Sequence, residues 1–399
     1  MKNQQSPAIG ENPKLGVYTV GDKTFHGKPQ ALIEATQTNQ FPTWNFNNDV
    51  FDKLDYTVEP EVPLLTLYKI RAQQLRDKYD YIRLEFSGGS DSATALYAFI
   101  NNDIHIDEVV IRYPKTGEKD VEADPFNYKA ENTLSEFKYA AVPILEWLTL
   151  SAPRTKITIH DYSIDMLTST YDEGWIFNTK DYFQPGHSFK HNPIGMKEHK
   201  ILADSGKAIC ILYGLDKPKI CIQDKKWYMY FIDVIANHSV STFGDYTNMT
   251  NEYFFWSPDL PELVLKQAHI VMNWFNLPSN HHAQYLCRWP NYSYTQRSAY
   301  EHLIKPLIYP EYDPTTFQTN KPSNSFYNEM DQWFYKNLDG TEQYQIWKAG
   351  LRFLVDKIDP KYFNYEGKDP VGFVGFLSPF HCLGDATFAD SGINLHHRF

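Results

Sequence analysis

The chain predicts an α/β fold: a doubly wound parallel sheet with an N-terminal extension and a mostly helical C-terminal domain. Three observations predict it. Short β-prone runs alternate with helical stretches between residues 81 and 213, a pattern of parallel strands joined by crossovers. The first run ends in a Ser-Gly-Gly-Ser-Asp-Ser turn, Ser87 to Ser92, that opens directly onto an apolar stretch of good helix formers. Past Lys219 the alternation stops, and the later chain is rich in Tyr, Trp, Pro and Asn. The expected divisions are an N-terminal extension over 1–60, an α/β domain over 61–250 and the mostly helical domain over 251–399.

In order, Val17 to Phe25 reads as a hairpin around Gly21-Asp22, and Pro29 to Thr36 as a short helix. Trp44 to Tyr56 is aromatic and acidic without a clear period. Pro63 to Asp80 reads as an amphipathic helix, with Leu64, Leu65, Leu67, Tyr68, Ile70 and Leu75 as its apolar side. The first strand of the sheet ends at Phe86, and its helix runs to about Asn101. Asp107 to Arg112 is the second strand, Lys156 to Asp161 the third and Ala208 to Tyr213 the fourth. Asn132 to Leu150 is a long helix that Pro143 kinks. Lys219 to Gln223 and Trp227 to Ile232 form an antiparallel hairpin, and Pro261 to Phe275 and Gln343 to Val355 are helical.

Composition narrows the function. The 399 residues are 42% hydrophobic and 22% charged, enough for two or three domains and a large core. The net charge of −11 argues against a general nucleic-acid binder. No apolar run follows the Met1-Lys2-Asn3 start and no stretch approaches the ~20 apolar residues of a membrane span, so a cytoplasmic protein is expected. Cys210, Cys221, Cys287 and Cys382 form no Cys-x-x-Cys pair, so they are expected as buried free thiols. His187, His191 and His199 are broken up by Pro193 and Gly195 and are a poor zinc set.

The turn at Ser87–Ser92 carries the chemistry. Gly88 and Gly89 permit backbone angles closed to other residues and let a ligand approach the main chain. Ser90, Asp91 or Ser92 is expected to cap the helix. Main-chain N–H groups and the helix dipole then converge on one spot suited to phosphate. The spacing fits neither a Walker A loop nor a dinucleotide fingerprint. It resembles the pyrophosphate-binding loop of the PP-loop superfamily, the ATP pyrophosphatases also called adenine nucleotide α-hydrolase-like proteins. Their Ser-Gly-Gly-x-Asp-Ser signature is complete at Ser87, Gly88, Gly89, Asp91 and Ser92. The resemblance covers about residues 81 to 216, and the loop is its specific part.

That resemblance implies an enzyme that splits ATP into AMP and pyrophosphate to activate a substrate for attack by an amine, ammonia or sulfur nucleophile. It implies ATP and Mg²⁺ as cofactors, with Ser87, Gly88, Gly89, Ser90 and Ser92 on the phosphates and Asp91 as the Mg²⁺ or loop-bracing carboxylate. Adenine lies near the first two strand ends, here Phe86, Ile111 and Arg112. The fourth strand ends at Gly214, where Asp216 and Lys217 are expected on the acceptor side, Lys217 near phosphate. Residues 187 to 226 hold eight lysines against four acids, a local positive excess for a triphosphate. The expected partners are ATP and an unidentified small-molecule or macromolecular acceptor, with a homo-oligomer left open.

Within the superfamily, the chain lacks the Glu-Cys-Gly-x-His context of sulfonucleotide reductases, the paired cysteines of thiouridine-forming enzymes and the zinc cysteines of the deazapurine-nitrile branch. It looks closest in kind to asparagine synthetase-type synthetase domains, without a glutaminase. Two alternatives stand: a sulfonucleotide (phosphoadenosine phosphosulfate) reductase-like protein using Cys382, and a non-catalytic nucleotide-binding protein.

Overall fold

The computed structural model describes residues 15–116, 136–163, 183, 197–233, 248–289, 294–313, 333 and 336–387. Its centre is a five-stranded sheet made of β4 (Tyr81–Glu85), β5 (Glu108–Arg112), β6 (Lys156–His160), β7 (Ile209–Tyr213) and β10 (Met249–Tyr253). The order across the sheet is β10-β7-β4-β5-β6, and every neighbouring pair is parallel. Counted by chain order, that is 3-2-1-4-5, the order of an open doubly wound sheet. The direction of winding reverses between β4 and β7. All five residues of β5 and all five of β7 are buried, as strands of a parallel sheet covered on both faces require.

The expected α/β alternation is therefore present, and α3 (Leu64–Lys78) and α4 (Ser90–Ile100) follow the expected spans closely. Apolar alternation along β4 puts Ile82 and Leu84 in the core. The opposite side of that strand is charged. Arg112 Nε donates to Glu85 Oε2 at 2.9 Å, and Tyr81 and Lys156 reach Glu108 at 3.0 Å. Burial works against the Glu108 carboxylate, but Arg83, Thr158 and Lys156 outweigh it and hold its pKa below the ordinary range.

The N-terminal extension is a three-stranded antiparallel sheet, β1 (Val17–Val20), β2 (Lys23–Phe25) and β3 (Thr43–Asn45), with helices α1 (Lys28–Thr38) and α2 (Asn48–Phe51). It packs on the rest through Phe46, whose ring meets Phe51, Phe231, Tyr253 and Trp256. The buried Asp233 carboxylate accepts from Tyr18 Oη and pairs with Lys28 Nζ, each at 2.8 Å.

Three departures from the sequence reading have clear causes. The helix expected over 132–150 is a π-helical turn, Glu136–Ala141, followed by α5 (Val142–Ser151); residues 132–135 lie outside the described residues. Pro143 sits in the first turn of α5, directly after the π-helical turn, where the backbone changes from π to α pairing. Strand β10 was not expected, because Met-Thr-Asn-Glu-Tyr is no apolar run. It pairs with β7 along its whole length, Met249 and Tyr253 enter the core, and its buried acid is matched: Glu252 pairs with Arg71 at 3.0 Å and with Lys78 at 3.0 Å, and Tyr79 Oη donates to it at 2.5 Å.

Helix α6 (Lys197–Asp204) precedes β7, and the C-terminal part is mostly helical among the described residues, through α7 (Glu262–Asn276), α8 (Tyr294–Ile308) and α9 (Glu342–Lys357). It also contains strands. β11 (Phe363–Glu366) pairs with β12 (Asp369–Phe373), and β13 (His381–Asp385) joins the expected hairpin of β8 (Lys219–Gln223) and β9 (Lys226–Tyr230). Strand β10 runs across residue 250. Among the described residues, no helix is long and apolar enough to cross a membrane.

Arg71 and Glu252 are each only 1% exposed. Arg71→Met leaves the Glu252 carboxylate buried with one fewer partner, and should cost ~3–5 kcal/mol in urea denaturation. An unchanged midpoint shows that the pair does not hold β10.

Candidate nucleotide and acceptor site

The end of β4 delivers the loop. Phe86 N still pairs with Val110 O at 2.8 Å, and the chain then turns through Ser87, Gly88 and Gly89 into α4. Gly88 has φ +77°, and a β-carbon there would lie 2.7 Å from Ala141 N, so the end of the π-helical turn seats directly on it. Ser87 and Ser92 brace the turn. Gly89 N donates to Ser87 Oγ at 3.2 Å, Ser87 N to Ser92 Oγ at 3.3 Å, and Ser92 Oγ to Gly89 O at 3.1 Å.

The helix cap is Gly89, not Ser90, Asp91 or Ser92, which all lie inside the first turn; no side chain caps this end. The first intrahelical bond runs from Ala93 N to Gly89 O. It leaves the amides of Ser90, Asp91 and Ser92 outside the helical pattern, at the positive end of the dipole. This end suits a polyphosphate.

The loop after β7 meets that turn. Gly214 has no room for a side chain: a β-carbon would lie 2.6 Å from Ser92 Cα and 2.7 Å from Ser92 N. Three residues later, Lys217 Nζ sits 3.0 Å from Asp216 Oδ1, 3.5 Å from Asp91 Oδ2 and 3.8 Å from Glu301 Oε2. Asp216 also accepts from Lys217 N at 2.7 Å, and its Oδ2 pairs with Lys219 Nζ at 2.7 Å. Tyr309 Oη donates to Asp91 Oδ1. Thus Gly214, Asp216 and Lys217 share one corner with Asp91.

Burial alone would raise the Asp216 carboxyl pKa, but Lys217 and then Lys219 hold it far below the carboxylate range. Burial likewise opposes the Lys217 ammonium, and the carboxylates of Asp216, Asp91 and Glu301 hold its pKa well above the usual lysine value. Asp216 and Lys217 are deeply buried, with side chains 6% and 8% exposed, whereas Asp91 is 25% and Glu301 20% exposed. The open side of the cluster is therefore carboxylate. With two lysines against three acids, the group carries one excess negative charge. A divalent cation beside incoming phosphate fits that excess. Among the described residues, no three His, Cys, Asp or Glu side chains are arranged to hold a metal alone. Mg²⁺ is accommodated by one or two carboxylates plus phosphate oxygens.

Phe86, Ile111 and Arg112, expected near adenine, lie at the carboxyl ends of β4 and β5. Phe86 and Ile111 are core residues, 4% and 3% exposed. Arg112 is tied to Glu85. Cys382 lies in β13, in the antiparallel sheet, and is only partly buried, unlike Cys210, Cys221 and Cys287, which are buried as expected. His187, His191 and Lys190, and the side chains of Lys197, His199 and Lys200, lie outside the described residues. Glu301 and Tyr309 were missed by sequence reasoning. Tyr309 is 218 positions from Asp91, and neither residue sits in a motif that points to the loop.

No protein-family model matches this chain, and no curated protein is significantly similar to it. The site therefore stands on its own geometry.

The cluster has a pH signature. The lowered Asp216 contributes stability above its unfolded pKa near ~3.9, lost as pH falls through the folded value. The raised Lys217 contributes below ~10.4, lost as pH rises through the folded value. Between pH ~5 and ~9 both contributions are complete. Lys217→Met should accordingly lose a constant ~3–5 kcal/mol across that window by chemical denaturation. A deficit that varies across it shows that these two groups are not held as described.

Proposed function

We propose that the chain is an ATP-dependent adenylating enzyme of the PP-loop type, closest in kind to asparagine synthetase-type synthetase domains. One observation carries this reading: the Ser87–Ser92 loop and the Gly214–Lys217 loop leave neighbouring strands at the reversal of the sheet, and Lys217 Nζ stands 3.5 Å from Asp91. Ligands of open α/β sheets bind at the carboxyl ends of strands at that reversal.

In this reading the amides of Ser90, Asp91 and Ser92 receive the β- and γ-phosphates. Lys217 exchanges a carboxylate for phosphate, and Asp216, engaged by Lys217 and Lys219, keeps the ammonium in place. Asp91 and Glu301 face the side where Mg²⁺ would sit; the ion, when bound, offsets charge on the leaving pyrophosphate. An acceptor oxygen attacks the α-phosphorus, and the bond from that phosphorus to the bridging oxygen breaks. Pyrophosphate leaves with the bonding electrons, and an amine, ammonia or sulfur nucleophile then displaces AMP.

Incubation with ATP, Mg²⁺ and a metabolite mixture should yield AMP and pyrophosphate. ADP and inorganic phosphate as the main products overturn the reading. Asp91→Asn and Ser87→Ala should each lower turnover by ~10²–10³, with thermal melting little changed. Wild-type turnover in either variant removes the loop from the mechanism.

A further inference from the structure

We infer that Tyr309, at the end of α8, is a positioning residue for Asp91, so that the C-terminal helical region sets how the nucleotide site engages a divalent cation. The inference rests on the nucleotide reading above. Tyr309 is 1% exposed, and its hydroxyl donates to one oxygen of Asp91 while Lys217 approaches the other. Asp91 is thereby fixed in one orientation at the mouth of the loop. A carboxylate with both oxygens held keeps lone pairs for a metal and loses its rotational freedom, which is what preorganisation of a ligand requires.

The phenol is itself anchored. Its ring packs on Phe255 at 5.7 Å, and its backbone N bonds Lys305 O at 2.9 Å. The preceding carbonyl, Ile308 O, accepts from Tyr68 Oη, and Tyr68 Oη in turn accepts from Gln267 Nε2 at 2.9 Å. Tyr68 lies on α3 and Gln267 on α7. The chain Gln267–Tyr68–Ile308 thus fixes the backbone that presents Tyr309. Burial, and then the negative charges of Asp91 and Asp216, hold the Tyr309 phenol well above its ordinary pKa, so the hydroxyl stays a donor.

The experiment is calorimetric titration of the full chain with ATP, once with Mg²⁺ and once with EDTA. The readout is the ratio of the two Kd values, the tightening that the metal provides. Tyr309→Phe should lower that ratio about 10-fold, the scale of losing a metal ligand's supporting group, and leave Kd in EDTA within about twofold. Tyr68→Phe, which removes the donor to Ile308 O and keeps Tyr309 itself, should lower the ratio in the same direction by less. An unchanged ratio in Tyr309→Phe, or a loss of affinity that is equal with and without the metal, overturns the positioning role. If Tyr309→Phe fails to fold, an unchanged ratio in a folded Tyr68→Phe overturns it. A wild-type chain that binds no ATP in either buffer overturns the nucleotide reading and this inference together.

Discussion

The Lys217 ammonium is the constraint around which the centre of the structure is arranged. It is nearly excluded from water and surrounded by three carboxylates from three segments: Asp216 beside it, Asp91 from α4 and Glu301 from α8. At an effective dielectric near 20, each contact at ~4 Å is worth about 4 kcal/mol before the cost of desolvation, which is several kcal/mol per ion. The net gain is modest, but the cost of misplacing a partner is large. The cluster therefore acts as a positional lock: a shift of α8 or of the first turn of α4 strands a buried charge.

Backbone geometry makes the lock reachable. Strands β4 and β7 are in register, Glu85 opposite Tyr213, so the loops after them leave the sheet side by side. The winding reversal between them keeps any crossover helix from filling the gap. Gly214 then lets one loop lie directly on the first turn of α4. At Gly88 both the positive φ and the close approach of Ala141 exclude a side chain, whereas at Gly214 close approach alone does.

Much of this was legible in the sequence, for identifiable reasons. β5 and β7 are short apolar runs bounded by turns, which a parallel sheet buries on both faces, and β4 is marked by its alternation and by the loop that follows it. The loop was legible because its glycines and hydroxyls are contiguous. Asp216 and Lys217 were legible because they follow a recognisable strand. What stayed hidden depended on tertiary partners. β10 is buried by pairing Glu252 with Arg71 and Lys78, and hydrophobic pattern is blind to that. α8 buries Tyr300, Ile304 and Ile308 on one side, but Pro306 inside it reads as a helix breaker. The reach of Glu301 and Tyr309 to Asp91 exists only once the helix has docked.

The fastening of the two ends bears on how the chain is made. Asp359 N donates to Thr36 Oγ1 across 323 residues, and Tyr18 reaches Asp233 across 215. At ~5–20 residues per second, a ribosome needs roughly 16–65 s to supply the first of these partners after making Thr36. Until residues 231–256 are made, the N-terminal sheet lacks the surface that buries Phe46 and the carboxylate that pairs with Lys28. Loop closure over such separations also slows folding after release. The N-terminal segment is thus a late-docking piece of a fold whose central strands have shorter distances to close, and translation speed over the intervening codons sets how long its aromatic face is exposed.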